Sequence, residues 1–321
     1  MLTDEHRLSF GGSGLGGLFR KVSAKEAHDL LSAAWDAGIR YFDTAPHYGH
    51  GSSERRLGDF LRDKTGHVIS TKVGRLLSPD PAPPPVVHGF HSALPFKQRY
   101  DFTHDGVLRS HEDSLQRMGL DHVDILFAHD LGDPDAGTDT DHHRAEFLEG
   151  GGHRAMARLK EEGTISAIGI GVNTIEICEE LVGRVELDHI LLAGRYTLLE
   201  QRALERLFPL CEAHGVKIVV GGVFNSGILA TGATEGTTYN YAPATQPIMD
   251  RVREIEAICA RHDVALPTAA LQYPAQHPLV ASTLIGTTQT RTLLRNIDHF
   301  AAPVSQTLWQ ELSDAGLAPA A

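Results

Sequence analysis

The feature that most constrains the fold of this chain is a repeated alternation of short apolar, β-branched runs with longer stretches of helical pattern. The interiors of several runs are largely apolar, as in VDILFA at 123–128. Parallel strands covered by helices on both faces have this composition, because neither side of the strand meets water. The runs lie at 8–10, 40–43, 68–72, 123–129, 167–172, 189–192, 217–220 and 282–285.

Helical stretches separate these runs. Ser23 and Glu26 form a capping box that marks a helix start, and Gly38, Gly163 and Gly215 follow three predicted helix ends. A strand–helix repeat with a count near eight predicts an α/β fold, a (β/α)8 TIM barrel. Without a linker segment, the 321 residues are predicted to form a single domain over 1–321. The predicted helices are 23–37, 53–63, 105–118, 145–162, 175–182, 200–214 and 246–261.

Charge and composition exclude several classes of partner. The net charge is −12 and no basic stripe offsets it, so we expect no nucleic-acid partner and no attraction to anionic membranes. No signal pattern and no run of 18 apolar residues occur, which indicates a cytoplasmic protein. Cys178, Cys211 and Cys259 lie in predicted helices and are expected to be small buried side chains. The sequence does not indicate an oligomeric state.

Four titratable residues lie at or just after the ends of successive strands. Asp43 ends one predicted strand, Tyr48 follows five residues later, and Lys72 and His129 end the next two strands. Reducing a carbonyl with hydride needs a proton donor, and oxidising an alcohol needs a base. We expect the Lys72 ammonium to lower the pKa of Tyr48, normally about 10, and Asp43 to hold Lys72 by an ion pair. His129 would donate to the substrate oxygen or relay the proton.

Two long loops leave the same rim. The loops near 75–102 and 131–145 are predicted to be lids or substrate walls, because barrel active sites lie at the C-terminal ends of the strands. The acidic cluster 139–143 is interpreted as a solvated loop, with no metal site in the chain. Residues 12–17 match GxGxxG, but the next helix begins six residues later, so we interpret them as a turn lining the site.

The order of these motifs resembles the aldo-keto reductase family. The resemblance implies a (β/α)8 barrel, an NAD(P) cofactor bound in extended form, and Asp43, Tyr48, Lys72 and His129 as the catalytic tetrad. The matching segments are DTAPHYG at 43–49, TK at 71–72, HD at 129–130, GIGVN at 169–173, NSGIL at 225–229 and LIGTTQTRTLLRN at 284–296.

The resemblance also implies where the cofactor lies. Asn173 would bind the nicotinamide carboxamide, the 225–229 backbone would hold the pyrophosphate, and 286–296 would bind the adenosine end. The residues predicted to contact the cofactor are Asn173, Phe224, Asn225, Ser226, Gly227, Leu229, Ile285, Gly286, Thr287, Thr288, Gln289, Arg295 and Asn296.

The chain departs from the family pattern around the predicted cofactor. Ala193 and Gly221 stand where a Gln and a stacking Tyr are usual, so Phe224 is predicted to supply the missing ring face. Gly286 and Thr292 stand where NADPH-preferring relatives carry the Lys and Arg that bind the 2′-phosphate. We therefore expect NAD as the cofactor, with NADP as the alternative.

Three segments look like the branch of the family that oxidises sugars at C1: GGLF at 16–19, HGFHSALPF at 88–96 and NSGIL at 225–229. The resemblance implies that the partner is a small sugar, a cyclic aldose such as L-fucose or another D-threo-aldose, oxidised to the lactone with NAD(P). The alternatives are pyridoxal 4-dehydrogenase activity, NADPH-dependent reduction of small aldehydes, a Schiff-base lyase using Lys72, and a nucleotide-sensing subunit.

Substrate contacts are predicted from Phe19, His47 and His91. For His47, a substrate contact and a solvent-facing position both stay open. His88 and Phe90 are interpreted as loop residues that could line the pocket.

Overall fold

Eight parallel strands close into a barrel in the computed structural model of this chain, which describes residues 2–132 and 139–319. The described residues form the strands β1 (Leu8–Gly11), β2 (Tyr41–Asp43), β3 (Val68–Val73), β4 (Arg75–Pro79), β5 (Phe96–Tyr100), β6 (Ile125–His129), β7 (Ala167–Val172), β8 (His189–Ala193), β9 (Lys217–Gly221), β10 (Thr238–Tyr239), β11 (Ala242–Pro243) and β12 (Val280–Gly286). Of these, β4–β5 and β10–β11 are two antiparallel hairpins outside the barrel. Around the barrel the order is β1, β2, β3, β6, β7, β8, β9 and β12, which pairs back to β1. The predicted barrel is therefore confirmed.

Twelve α-helices are found in the described part of the chain. They are α1 (Ala24–Asp36), α2 (Ser52–Leu61), α3 (His104–Met118), α4 (Thr140–Leu148), α5 (Gly152–Glu161), α6 (Glu176–Leu181), α7 (Leu207–His214), α8 (Ile228–Thr231), α9 (Gln246–Arg261), α10 (Leu266–Ala275), α11 (Thr290–Ala301) and α12 (Gln306–Asp314). The Ser23–Glu26 capping box at the start of α1 is present as predicted. Helix α9 has the predicted bounds.

Two helix predictions are wrong in their extent. The sequence predicts one helix over 145–162, but α4 and α5 are separate, because Gly151 has a φ of +87° that a continuing helix does not allow. The helix predicted over 200–214 begins only at Leu207, after a short 3₁₀ turn at Arg202–Leu204. In both cases the apolar pattern continues through a local break in the backbone.

The barrel interior is filled by side chains, so it is a core and not a channel. A second and larger core lies between the strands and the surrounding helices. Because both faces of the barrel strands are covered, the strands are apolar on both sides, as the sequence pattern indicates. The interior core consists of Tyr41, Val68, Ile125, Phe127, Ala167, Leu191 and Val219.

The long loop at 75–102 contains structure that the sequence does not predict. Strands β4 and β5 form an antiparallel hairpin in which Arg75 pairs with Tyr100 and Pro79 pairs with Phe96. The proline- and histidine-rich stretch between them hides the short strands in the sequence pattern. The hairpin folds over the C-terminal rim of the barrel, beside β3.

The second long loop, predicted near 131–145, is only partly described, since 133–138 lie outside the described residues. One residue of its acidic cluster caps the N-terminus of α4: the Asp139 side chain accepts a hydrogen bond from the His142 N–H at 3.1 Å. His143 is buried, with its ring centroid 4.8 Å from that of Tyr100. Among the described residues, no group of three or more His, Cys, Asp or Glu side chains is arranged to hold a metal ion.

The three cysteines are buried free thiols, as predicted. Within 2–132 and 139–319, none of the helices combines the length and the apolar character needed to cross a membrane.

Candidate active site

A buried ion pair lies at the C-terminal rim, between β2 and β3. The Lys72 ammonium is 2.6 Å from Asp43 Oδ2, and the two side chains are 1% and 0% exposed. Lys72 also donates to the Thr44 carbonyl at 2.8 Å, and the Ser70 hydroxyl donates to Asp43 Oδ1 at 2.7 Å. These hydrogen bonds satisfy groups that would otherwise be costly to remove from water.

Burial acts against both charges of this pair. Burial raises the pKa of Asp43 above its usual value, while Lys72 and Ser70 act to lower it. Burial acts to lower the pKa of Lys72, but Asp43 and Tyr48 outweigh burial and raise this pKa above its usual value. Lys72 is therefore an ammonium at neutral pH, fixed in place by Asp43.

Tyr48 lies over this ion pair, with the Lys72 nitrogen 4.7 Å from the centre of its ring. Burial raises the pKa of Tyr48 to about 12, and the Lys72 ammonium opposes burial without overcoming it. The sequence-based expectation that Lys72 brings this pKa below its ordinary value is therefore wrong. The direction of the Lys72 effect is as expected, but burial is the larger effect, and Tyr48 is a protonated phenol at neutral pH.

His129 completes the cluster at the end of β6. Its ring is perpendicular to that of Tyr48, with centroids 5.8 Å apart. Burial, and then the charges of Arg75 and Lys72, hold the pKa of His129 well below its usual range, so the ring is neutral. Its Nδ1 is buried and has no hydrogen-bond partner within the described ranges. The four residues predicted from the strand ends thus lie together.

A cavity of about 650 Å³ opens over Asp43 and Tyr48. This volume falls within the range of about 300–1,000 Å³ that is usual for small-molecule and cofactor sites. The residues of the cofactor prediction that line it are Phe224, Asn225, Ser226, Gly227, Ile285 and Gly286.

The remaining predicted cofactor residues lie around this cavity or behind it. Asn173 follows β7 and lines a smaller neighbouring pocket that also contains Asn225 and Ser226. The Leu229 side chain is fully buried, and its backbone N–H donates to the Phe224 carbonyl at 3.2 Å. Thr287 and Thr288 follow β12 and are half-buried. Gln289 and Arg295 are exposed, and Asn296 is buried on α11.

The glycine-rich turn after β1 packs directly against this last segment. A Cβ atom placed on Gly14 would lie 2.1 Å from the Thr287 carbonyl oxygen, so only glycine permits this approach. The turn is a 3₁₀ helix at Gly12–Gly16, and Ser13 lines the cavity. The interpretation of this motif as a turn lining the site agrees with its position.

Ala193 and Gly221 are neighbours on β8 and β9, and both line the cavity. Neither residue carries a side chain beyond Cβ, so this part of the cavity wall is low, and Phe224 lines the cavity beside it. An aromatic ring at Phe224 and small residues at Ala193 and Gly221 are compatible with a planar ring bound against this wall. The residues present therefore suit a nicotinamide cofactor, although the usual stacking side chain is replaced.

The three residues predicted to contact substrate differ in position. Phe19 lines the cavity and is 74% exposed, with a φ of +67°. The half-buried ring of His47 has its centroid 6.2 Å from that of Tyr48 and 5.8 Å from that of His129. His91 is exposed and does not line the cavity. Phe90 is instead the loop residue that packs on Tyr48 and His47.

Arg75 and Gln98 belong to the site but are absent from the sequence-based prediction. Arg75 follows Gly74, whose φ of +99° turns the chain sharply from β3 into β4. Its buried guanidinium forms an ion pair with Asp130 and donates to Gln98 Oε1 at 2.9 Å. The available signal was an arginine only three residues after Lys72, at the start of the loop leaving the rim.

Comparison with known proteins agrees with this geometry. A pyridoxal 4-dehydrogenase from Microbacterium luteolum is 40% identical over 320 residues, covering 97% of this chain and 94% of that protein. A D-threo-aldose 1-dehydrogenase from Pseudomonas sp. is 40% identical over 319 residues, with the same coverage. The holo form of an aldo-keto reductase from Bacillus halodurans has the same fold, with a TM-score of 0.74, 24% identity, and coverage of 98% of this chain and 93% of that chain.

The family model described as "Aldo/keto reductase family" matches residues 7–316, which include the whole barrel. The family prediction made from the motifs is confirmed. This chain belongs to the aldo-keto reductase family.

Proposed function

We propose that this chain oxidises a cyclic aldose, such as L-fucose or another D-threo-aldose, at C1 to the lactone, with NAD as the hydride acceptor. Aldo-keto reductases use nicotinamide cofactors. The observation that carries the proposal is the cluster of Tyr48, His129 and the buried Lys72–Asp43 pair at the foot of a cofactor-sized cavity. The D-threo-aldose 1-dehydrogenase at 40% identity supports the substrate class.

In this mechanism the chain binds the anomeric hydroxyl and takes its proton. Tyr48, as a phenolate, accepts the proton as the O–H bond breaks, while the neutral His129 donates a hydrogen bond to the same oxygen. Lys72 stabilises the phenolate, and Asp43 keeps Lys72 in place. The bound nicotinamide supplies the acceptor for the hydride that leaves C1. The C1–H bond breaks, a C=O bond forms, and the ring oxygen makes the product a lactone.

The cofactor would lie along the cavity wall made by the chain after β9 and β12. Phe224 and the space at Gly221 would hold the nicotinamide ring, the 225–227 backbone the pyrophosphate, and 286–288 the adenosine side. Arg20 is a basic residue near this end, but it donates to Thr288 Oγ1 at 2.9 Å and pairs with Glu26 at 2.9 Å. Because these partners hold its guanidinium, we retain NAD as the proposed cofactor.

Pyridoxal is a second candidate substrate, since the pyridoxal 4-dehydrogenase is also 40% identical to this chain. The aldehyde and neighbouring hydroxymethyl group of pyridoxal close to a cyclic hemiacetal, so its oxidation would use the same groups and also give a lactone. Carbonyl reduction with NADPH is favoured by a different observation. A Tyr48 with a pKa of about 12 is a proton donor at neutral pH, as reduction requires.

A panel assay tests the proposal directly. The protein is incubated with NAD or NADP and with L-fucose, L-galactose, D-arabinose or pyridoxal, and the absorbance of the reduced cofactor is followed. We expect an aldose to react, faster with NAD than with NADP. If none of these compounds is oxidised, the proposal is wrong, and reduction of small aldehydes with NADPH becomes the leading alternative.

The pH dependence should differ between the two directions. Below a Tyr48 pKa of about 12, each unit of pH increases the phenolate fraction tenfold. We therefore expect kcat/KM for oxidation to rise about tenfold per unit from about pH 6 to about pH 10, and kcat/KM for carbonyl reduction to stay flat. A loss of reduction on acidification near the ordinary histidine pKa of about 6.5 would contradict the neutral state assigned to His129.

A further inference from the structure

The β4–β5 hairpin brings two polar side chains onto one nitrogen of His47. Arg75 Nη1 is 3.2 Å from His47 Nδ1, and Gln98 Nε2 is 2.8 Å from the same atom. Arg75 Nη1 also donates to Gln98 Oε1 at 2.9 Å, which orients the amide so that its NH₂ group faces the imidazole. The three side chains form a closed cluster beside Tyr48.

This geometry determines which nitrogen of His47 carries the proton. A guanidinium has N–H donors and no acceptor, so Nδ1 must accept from Arg75. The Gln98 amide nitrogen, at 2.8 Å, is the nearer amide atom to the same lone pair, and Gln98 Oε1, at 3.2 Å from Nδ1, already accepts from Arg75 Nη1. A proton on Nδ1 would point at the Arg75 donor and at the nearer Gln98 N–H, so the stable form of His47 carries its proton on Nε2. That nitrogen has no hydrogen-bond partner among the described residues.

The surroundings of His47 also disfavour a charged ring. Burial, and then the Arg75 charge, hold the pKa of His47 well below its usual range, while the hydrogen bond with Gln98 acts to raise it without overcoming them. Asp130, a carboxylate 3.5 Å from His129 Nε2, is paired with Arg75. The side chains that face His47 are Tyr48, His50, Arg75, His88, Phe90, Gln98 and His129. None of these is an anion at neutral pH.

We propose that Arg75 and Gln98 are positioning residues that hold His47 neutral with its proton on Nε2, and that this N–H donates a hydrogen bond to a substrate oxygen next to the reacting carbon. The His47 ring centroid lies 6.2 Å from that of Tyr48 and 5.8 Å from that of His129, beside the two side chains that would contact the reacting oxygen. The proposal rests on the proposed function and deepens it: the substrate carries a second oxygen, a hydroxyl or ring oxygen, adjacent to the carbon that is oxidised. A simple monofunctional aldehyde has no such oxygen.

The tautomer can be tested without substrate or turnover. Nitrogen-15 histidine spectra of the full chain distinguish Nδ1–H, Nε2–H and doubly protonated rings, and the signals absent from His47→Gln identify His47. We expect the Nε2–H form with no titration between about pH 6 and about pH 8. A proton on Nδ1, or a charged ring in this range, would overturn the proposal.

The positioning role is tested on β5, with a matched control on the opposite face of the same strand. Gln98→Leu removes one of the two donors that face His47 Nδ1. We expect KM for the reacting substrate to rise about 3- to 10-fold, which corresponds to the loss of one hydrogen bond. The values of kcat and of KM for the cofactor should change little. Lys97→Met changes an exposed neighbour and should change none of these values. Gln98→Glu presents only acceptors to Nδ1, so His47 should gain a proton there and titrate.

The outcomes separate this proposal from the proposed function. If Gln98→Leu and Gln98→Glu both leave the His47 signals and substrate KM at their wild-type values, the positioning role is wrong. If neither aldoses nor pyridoxal react, the proposed function fails, whereas the nitrogen-15 result still decides the state of His47. The kinetic comparison is then made with a reduced aldehyde that carries an oxygen next to the carbonyl carbon. An unchanged KM for that aldehyde would contradict the substrate contact, whereas KM for a monofunctional aldehyde should not change. Gln98→Met, which is closer in shape, replaces Gln98→Leu if the latter does not fold.

Discussion

Replacing Tyr48 by Phe is expected to lower kcat by about 10²- to 10⁴-fold, whichever direction is assayed. The substitution removes the oxygen that takes or gives the proton and keeps the ring that packs against Phe90 and His129. The Lys72–Asp43 ion pair retains its hydrogen bonds to Thr44 and Ser70. Single-turnover absorbance of the reduced cofactor measures the loss at the chemical step.

Tyr41 provides a matched control for this substitution. It is a fully buried tyrosine on the strand that leads to the site, whereas Tyr48 is half-buried, and its hydroxyl is 3.1 Å from the Ser70 hydroxyl inside the barrel. Tyr41→Phe removes the same atom from a residue that does not contact the cavity, so kcat should stay close to wild type. Cofactor affinity, followed by fluorescence titration, should be similar in both variants. A Tyr48→Phe enzyme with near-normal kcat would show that the proton comes from another group.

The barrel and the position of its catalytic rim could be predicted because they depend on local patterns. Asp43 and His129 are the last residues of their strands, so a parallel barrel places both at one end. Strand bounds shift by a few residues at most, since the apolar runs are the strands themselves. The division between α4 and α5 was missed because the apolar pattern continues on both sides of Gly151, where only the backbone changes direction.

The contacts of Arg75 could not be predicted in the same way. They depend on the sharp turn at Gly74 and on the hairpin, whose short strands flank a proline-rich stretch with no clear alternation. Residues 75 and 98 meet only because β4 and β5 pair. Sequence spacing contains no information on that pairing or on the path that returns the hairpin to His47.

The pKa of Tyr48 was misjudged for a related reason. The sequence indicates that an ammonium lies near the phenol, and this contact is present. It does not indicate how deeply the phenol is buried, and burial is the larger of the two opposing effects. With a pKa of about 12, Tyr48 is prepared to donate a proton at neutral pH, and the proposed oxidation would use only a small phenolate fraction.

The buried ion pair below Tyr48 leads to the second large expected effect. Lys72→Met should destabilise the fold by about 3–5 kcal/mol, because Asp43 would remain in the interior without its counter-ion. Asp43→Asn should also be costly, because Lys72 would lose its carboxylate partner. The free energy of unfolding, from denaturant titration, measures both changes. The exposed pair Lys25–Asp29 has the same 2.6 Å separation and serves as the control, where Lys25→Met should have little effect.

The double variant Asp43→Asn/Lys72→Met separates stability from catalysis. Since neither charge remains buried, the loss of unfolding free energy should be clearly smaller than the sum of the two single losses. Its kcat should nevertheless stay low, because Tyr48 would lose the ammonium that opposes the rise of its pKa, and the phenolate would become still rarer. Additive losses would contradict a tightly coupled pair. Recovery of kcat together with stability would mean that Lys72 and Asp43 serve the fold alone.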